Sequence, residues 1–285
     1  MAAVLITCVP ILVYYCLQGK IWQKLVCILI VAFALNAIIL VNSRGAFLGL
    51  SVGALYLGYC LFLKGKMPAK LKLQIIGGFI TVVALFVYLA DWTFWQRMET
   101  LLDTRVEQGE LTGNSGTGRV QYWVASLEVL KNHPLGVGAS GFNYLSPQYL
   151  PPDAFGKSGM RAIHSTIFQT LCELGYIGFF LLVGLVISIF RSLGKARAHV
   201  QQQGNMKLYF QGSAIAASLV CFLTAAIFID RLYAEIFYWL IVFAACFVNI
   251  YFLKDPTVQG VSTGIKRNTH PSYYSASVKS TPRRL

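Results

Sequence analysis

Residues 166–190 read TIFQTLCELGYIGFFLLVGLVISIF, a run with one carboxylate, Glu173, and no cation. A helix needs about 20 mostly apolar residues to cross the hydrocarbon core of a bilayer, and this run exceeds that. Arg191, Lys195, Arg197 and Lys207 follow it closely. An apolar run that ends in a cluster of cations predicts a helix leaving the membrane on the cytoplasmic side.

The same pattern repeats to either side. Apolar runs at 2–18, 25–41, 46–63, 73–90, 209–229 and 234–253 bring the expected number of spans to about seven. Lys20 and Lys24 lie between the first two, and Lys64, Lys66, Lys70 and Lys72 between the third and fourth. Lys254, Lys266, Arg267, Lys279, Arg283 and Arg284 follow the last. These connectors and the tail hold 16 of the 24 basic residues but only one of the 11 acids, Asp255, and they recur after every second span, on one side of the membrane. The positive-inside rule therefore assigns them all to the cytoplasm. The opposite side receives Asn42–Gly45, the long segment 91–165 and the turn at Asp230–Tyr233.

With 56% hydrophobic and 12% charged residues, and a mean hydropathy of +0.61, the composition excludes an ordinary soluble domain. The formal charge of +13 does not point to a nucleic-acid partner, because the cations sit between apolar runs and orient the chain. The fold class expected is an all-α, polytopic helical membrane protein with about seven transmembrane helices and one large exported loop. Residues 1–90 hold transmembrane helices 1–4, and 91–165 the loop with an amphipathic helix. Residues 166–253 hold transmembrane helices 5–7, and 254–285 form a basic cytoplasmic tail expected to be disordered. Positive charge follows the first apolar run rather than preceding it, which argues against a signal peptide. That order places the N-terminus outside, so further helices are expected upstream and the sequence reads as a C-terminal portion. All seven cysteines fall in spans, at spacings that match no metal site, and they read as packing residues.

Polar groups near a bilayer are the candidates for chemistry, since an ionised one at its centre costs about 2.5–3.5 kcal/mol on insertion scales. Arg44 opens the third span, and Gly45, Gly49 and Gly53 behind it form a small-residue repeat that lets another helix approach. Read alone, Arg44 is equally an interfacial arginine reaching lipid phosphate. Val120, Trp123, Leu127 and Leu130 form an apolar stripe on a helix that stops at His133-Pro134. Arg119 would stand at its start, a favourable place for a phosphate; the alternative is a helix that simply lies on the membrane. His164 is expected to cap the outer end of the fifth span, in line with Gly175 and Gly178, which would pack that face on another helix. Glu173, nine residues on, falls about half a turn away and is read as a buried hydrogen-bonding group, not a partner of His164. Arg44, Arg119, Arg161, His164 and Arg231 can thus gather on one side. Several cations beside one base suit an anionic, lipid-linked substrate.

Asn42-Ser43-Arg44-Gly45, Thr117-Gly118-Arg119 with Trp123, His133-Pro134-Leu135-Gly136-Val137-Gly138, His164-Ser165 and Glu173-Leu174-Gly175-Tyr176-Ile177-Gly178 occur in that order. Together, across about residues 40–190, they resemble the O-antigen ligase and O-antigen polymerase family. The resemblance implies a metal-independent, inverting glycosyltransferase of the bacterial inner membrane, multi-pass, with its active site facing the periplasm and no cofactor. Its partners would be an undecaprenyl-diphosphate-linked glycan, a lipid or glycan acceptor, and membrane lipids. Carried over, His164 would be the catalytic base. Arg44 and Arg119 would bind the substrate diphosphate, with Arg161 and Arg231 as additions. The readings set against it are a transporter or flippase of lipid-linked glycan, which would need polar residues along a path at mid-membrane, and a non-catalytic membrane subunit.

Overall fold

The computed structural model describes residues 2–41, 43–65, 116–151 and 161–255, with isolated positions between 69 and 96 and Val258. Among these residues the chain is all helical. Eight α-helices follow one another: α1 Ala2–Gln18, α2 Ile21–Val41, α3 Arg44–Gly58, α4 Gly116–Asn132, α5 Gly141–Tyr149, α6 Thr166–Gln202, α7 Met206–Ala226 and α8 Glu235–Val248. α3 and α8 each run on into a π-helical turn, Tyr59–Lys64 and Asn249–Leu253.

Five helical segments are long and apolar enough to cross a membrane: Ile21–Val41, Gly45–Lys64, Thr166–Gln202, Met206–Ala226 and Glu235–Leu253. α1 is a shorter apolar helix, and the expected span at 73–90 lies largely outside the described residues. So do residues 91–115, 152–160 and most of the tail. The chain is a polytopic helical membrane protein. The fifth expected span continues past residue 190 as one helix to Gln202, so the cationic cluster after it is helical.

α7 is the centre. Most of its apolar stretch is buried, 72% against 11% for that of α6, which leaves the α6 stretch largely exposed on the outside of the bundle. Its sequence explains why: Gly212, Ser213, Ala214, Ala216, Ala217, Ser218, Ala225 and Ala226 are small, so neighbouring backbones can come close. The glycine repeat of α3 meets this face. A Cβ on Gly49 would lie 2.7 Å from the Cys221 carbonyl and 3.2 Å from Ala225 Cβ, and one on Gly53 would collide with Cys221 Sγ. Larger residues seal the other side, where Phe222 stacks on Phe237 of α8 with ring centres 5.1 Å apart. All seven cysteines are free.

α4 and α5 build a small satellite around Tyr122, Ala125, Val129, Phe142, Leu150, Ile163 and Cys172. The buried face of α4 differs from the expected one. Tyr122, Ala125, Ser126 and Val129 point inwards with Leu130, while Val120 and Leu127 are exposed. Of the expected stripe, Leu130 is buried and Trp123 stacks on Phe168 of α6, and the buried face is completed by Tyr122 and by the small residues Ala125 and Ser126, which a count of large apolar residues passes over.

Candidate functional site

The N-terminal end of α6 is where the polar groups converge. His164 and Ser165 precede the helix, and Ser165 is its N-cap residue but makes no side-chain capping bond. The exposed N–H groups are taken instead by a carboxylate from across the bundle. Asp230 Oδ2 accepts from the His164 N–H and Oδ1 from the Ser165 N–H, both at 2.9 Å. A carboxylate at a helix N-terminus is favoured by the exposed N–H groups there and by the helix dipole. The fork also holds His164 in the left-handed region, at φ 56°, which is unusual for a residue with a side chain.

The His164 side chain is placed by the same contact. Its Nδ1 lies 3.8 Å from Asp230 Oδ2, and its ring stands 6.3 Å from that of buried Tyr122. The imidazole remains 42% exposed, so one edge is open. Burial, and the positive charges of Arg119 and Arg161, push its pKa below the ordinary 6.5, against the opposing pull of Asp230. The neutral form is therefore the resting one at neutral pH.

Arg119 reaches this field from the first turns of α4, on the same face as Tyr122 and Ser126. Arg161 reaches it from the segment before α6, whose backbone is tied to α5 where the Arg161 N–H donates to Ser146 Oγ at 3.3 Å. Of Arg44 only the backbone is described. It sits one residue before Gly45, which packs on Phe228, 3.1 Å from a would-be Cβ, and so belongs to the same end of the bundle as Asp230. Arg231 lies on the Asp230 loop with its side chain exposed and its N–H donated to Thr166 Oγ1 at 3.0 Å. Two polar side-chain atoms on these elements, Ser165 Oγ and Trp123 Nε1, are buried with no hydrogen-bond partner among the described residues. Trp123 is fixed there by stacking on Phe168, with ring centres 5.1 Å apart.

What aligns α4 with α6 is a backbone interlock. Gly175 interrupts α6 at φ 67° and ψ −170°, which frees carbonyls that a continuous helix would satisfy. The loop after α4 fills the gap: Val137 N–H donates to Cys172 O and Gly138 N–H to Glu173 O, each at 3.0 Å, and Tyr176 N–H donates to Pro134 O at 3.1 Å. Gly136, at φ 92°, and Gly175 face each other so closely that a Cβ on either would strike the other segment's backbone. Gly175 thus packs on a loop rather than on another helix, and Gly178 lies against its own helix at Leu174, so the expected glycine face for helix packing does not form. The loop 133–138 is the partner of the Glu173–Tyr176 break. Glu173 is buried and bonded to Tyr233 and Gln169, away from His164, as its spacing indicates.

A family model described as O-antigen ligase matches residues 2–183, more than half of the chain. The chain belongs to the O-antigen ligase family. No curated protein and no solved structure matches it. This is a family of glycosyl-transferring membrane enzymes, and the match extends further towards the N-terminus than the sequence motifs, taking in α1 and α2. Arg44, Arg119, Arg161 and His164 all fall inside the O-antigen ligase match. Asp230 and Tyr233 fall outside it and enter the site only through the fold. Sequence reading had Asp230 as a polar group of the last loop; the acceptor needs of the α6 N-terminus were the signal that could have paired it with His164. Among the described residues, no cluster of three or more His, Cys, Asp or Glu could hold a metal ion.

Proposed function

We propose that this protein transfers a glycan from a polyprenyl diphosphate of the undecaprenyl type to an acceptor hydroxyl at the outer, periplasmic face of the bacterial inner membrane. The observation that carries the reading is the convergence of Arg119, Arg161 and Asp230 on one open imidazole, His164. Asp230, facing Nδ1, favours the proton on that nitrogen and leaves Nε2 free as the base. The acceptor hydroxyl attacks the anomeric carbon as Nε2 takes its proton. The bond from that carbon to the diphosphate oxygen breaks, and the electron pair leaves on the diphosphate with inversion at the sugar.

A sugar hydroxyl is a weak acid, so a positioned base is worth about 10²–10⁴-fold. The departing diphosphate gains charge, which guanidinium groups stabilise by charge-assisted hydrogen bonds. Arg119 and Arg161 supply that charge in this reading, with Arg231 as an addition, and the family resemblance adds Arg44. The arginines disfavour a charged imidazole, so the same groups that bind the donor keep the base ready.

The test is reconstitution in vesicles with a glycan on undecaprenyl diphosphate and candidate acceptors, either a glycan or a lipid-linked core. Transfer by wild type, lost in both His164→Ala and Arg119→Ala at matched folded amounts, is the expected result. Undiminished transfer by His164→Ala would remove the histidine as base.

A further inference from the structure

The proposed reaction leaves one buried carboxylate unused, Glu173, two helical turns along α6 from His164. Thr166, Gln169 and Glu173 lie on one face of α6, and each grips the segment 229–233. Thr166 Oγ1 donates to Ile229 O at 2.6 Å and accepts from the Arg231 N–H at 3.0 Å. Gln169 Oε1 accepts from the Leu232 N–H at 3.4 Å, and Glu173 Oε2 accepts from the Tyr233 hydroxyl at 2.8 Å. Both Glu173 oxygens also take the Gln169 amide, each at 3.4 Å.

The last contact decides an orientation. Both carboxylate oxygens accept here, so they face the NH₂ of Gln169, and that turns the single amide oxygen towards Leu232. Removing the carboxylate would release both Tyr233 and the reason for the Gln169 rotamer. The backbone of the same residue serves the other half of the site, since Glu173 O receives the Gly138 N–H that seats the loop after α4. One residue thus joins the segment carrying Asp230 to the segment that places Arg119.

We propose that Glu173 is a positioning residue that sets the spacing between the His164–Asp230 pair and the α4 arginine. This rests on the transfer reaction proposed above. It holds no substrate; its side chain acts through Tyr233 and Gln169, and its main-chain carbonyl seats the loop after α4.

The test uses the full chain in lipid nanodiscs and compares Glu173→Ala, Glu173→Gln and Tyr233→Phe with wild type, by glycan transfer and by hydrogen exchange. Glu173→Ala is expected to lower kcat about 10–100-fold with the donor KM within about threefold, as misplacement of a catalytic pair does. Glu173→Gln keeps an acceptor oxygen at the same reach and should restore most of kcat. With Asp230 less firmly held, the acid limb of the kcat profile should move to lower pH in Glu173→Ala and stay in place in Glu173→Gln. Loss of folded protein alone would not move it. Exchange across 229–234 should speed up in Glu173→Ala and Tyr233→Phe, whether or not any transfer is measured. Wild-type exchange there together with wild-type kcat in Glu173→Ala would overturn the proposal. If Glu173→Ala does not fold, Tyr233→Phe removes a single hydroxyl and carries the same test. Absence of transfer by wild type would count against the reaction, while the exchange result would still judge the hold that Glu173 has on the loop.

Discussion

The two ends of α6 each carry a basic side chain at the edge of the apolar zone, and they use it differently. At the far end, Arg197 lies between α3 and α7, donating to Tyr56 Oη at 3.0 Å and Cys60 Sγ at 3.3 Å, with its stem over Gly212. Both of these partners are neutral, and the guanidinium also sits 5.9 Å from the Tyr56 ring centre. At the near end, His164 is gripped by its backbone and faces charges of both signs, while the ring edge stays open. A basic group near a bilayer therefore does not by itself mark a site. Arg197 has side-chain partners on both terminal nitrogens, its Nε alone being buried without one among the described residues, whereas His164 has a fixed main chain and an edge left for something else.

That contrast predicts opposite responses to mutation. His164→Ala should reduce transfer the most, by about 10²–10⁴-fold, with little change in thermal stability. Arg119→Ala should follow at about 10²–10³-fold, read as kcat/KM for the lipid diphosphate donor. The pH profile sharpens the assignment. Activity needs neutral imidazole, so it should fall only as the pH drops through a midpoint below the ordinary 6.5. Arg161→Gln removes a charge that lowers that midpoint and should raise it; Asp230→Asn removes the one that raises it and should shift it down. A midpoint indifferent to both would sever His164 from its neighbours.

Smaller effects belong to the interlock and the far end. Gly175→Ala meets both a left-handed backbone and the Leu135–Gly136 main chain, so about 1–3 kcal/mol of stability should be lost, measured by thermal unfolding in detergent. Arg197→Ala should cost about 1.5–3 kcal/mol through its lost hydrogen bonds, yet leave the specific activity of the folded fraction within about twofold. A large, specific loss of turnover there would mean that the two ends are not as different as their partners indicate.

Much of this was readable before any coordinates. Run length and the placement of cations announce the spans, and Gly45, Gly49 and Gly53 announce the close contact of α3 with α7. The separation of Glu173 from His164 follows from helical geometry. What could not be read depended on partners distant in sequence. Asp230 is 66 residues from His164 and meets it by backbone hydrogen bonds, which no side-chain pattern encodes. The working face of α4 turned on Ala125 and Ser126, residues that a hydrophobic stripe passes over. Gly136 and Gly175 look like ordinary loop and helix glycines until their opposed backbones are seen.

The reach of Asp230 has a consequence for how the protein is made. The carboxylate that fixes His164 is synthesised after α6 and α7, so a nascent chain that has inserted only through α6 carries the histidine without its clamp. The interlock beneath it likewise waits for Gly175 to be made and to meet the loop that follows α4. Under the proposed reaction, competence to bind donor should therefore arise late, once the turn between α7 and α8 has been made, and half-built copies would not compete for donor.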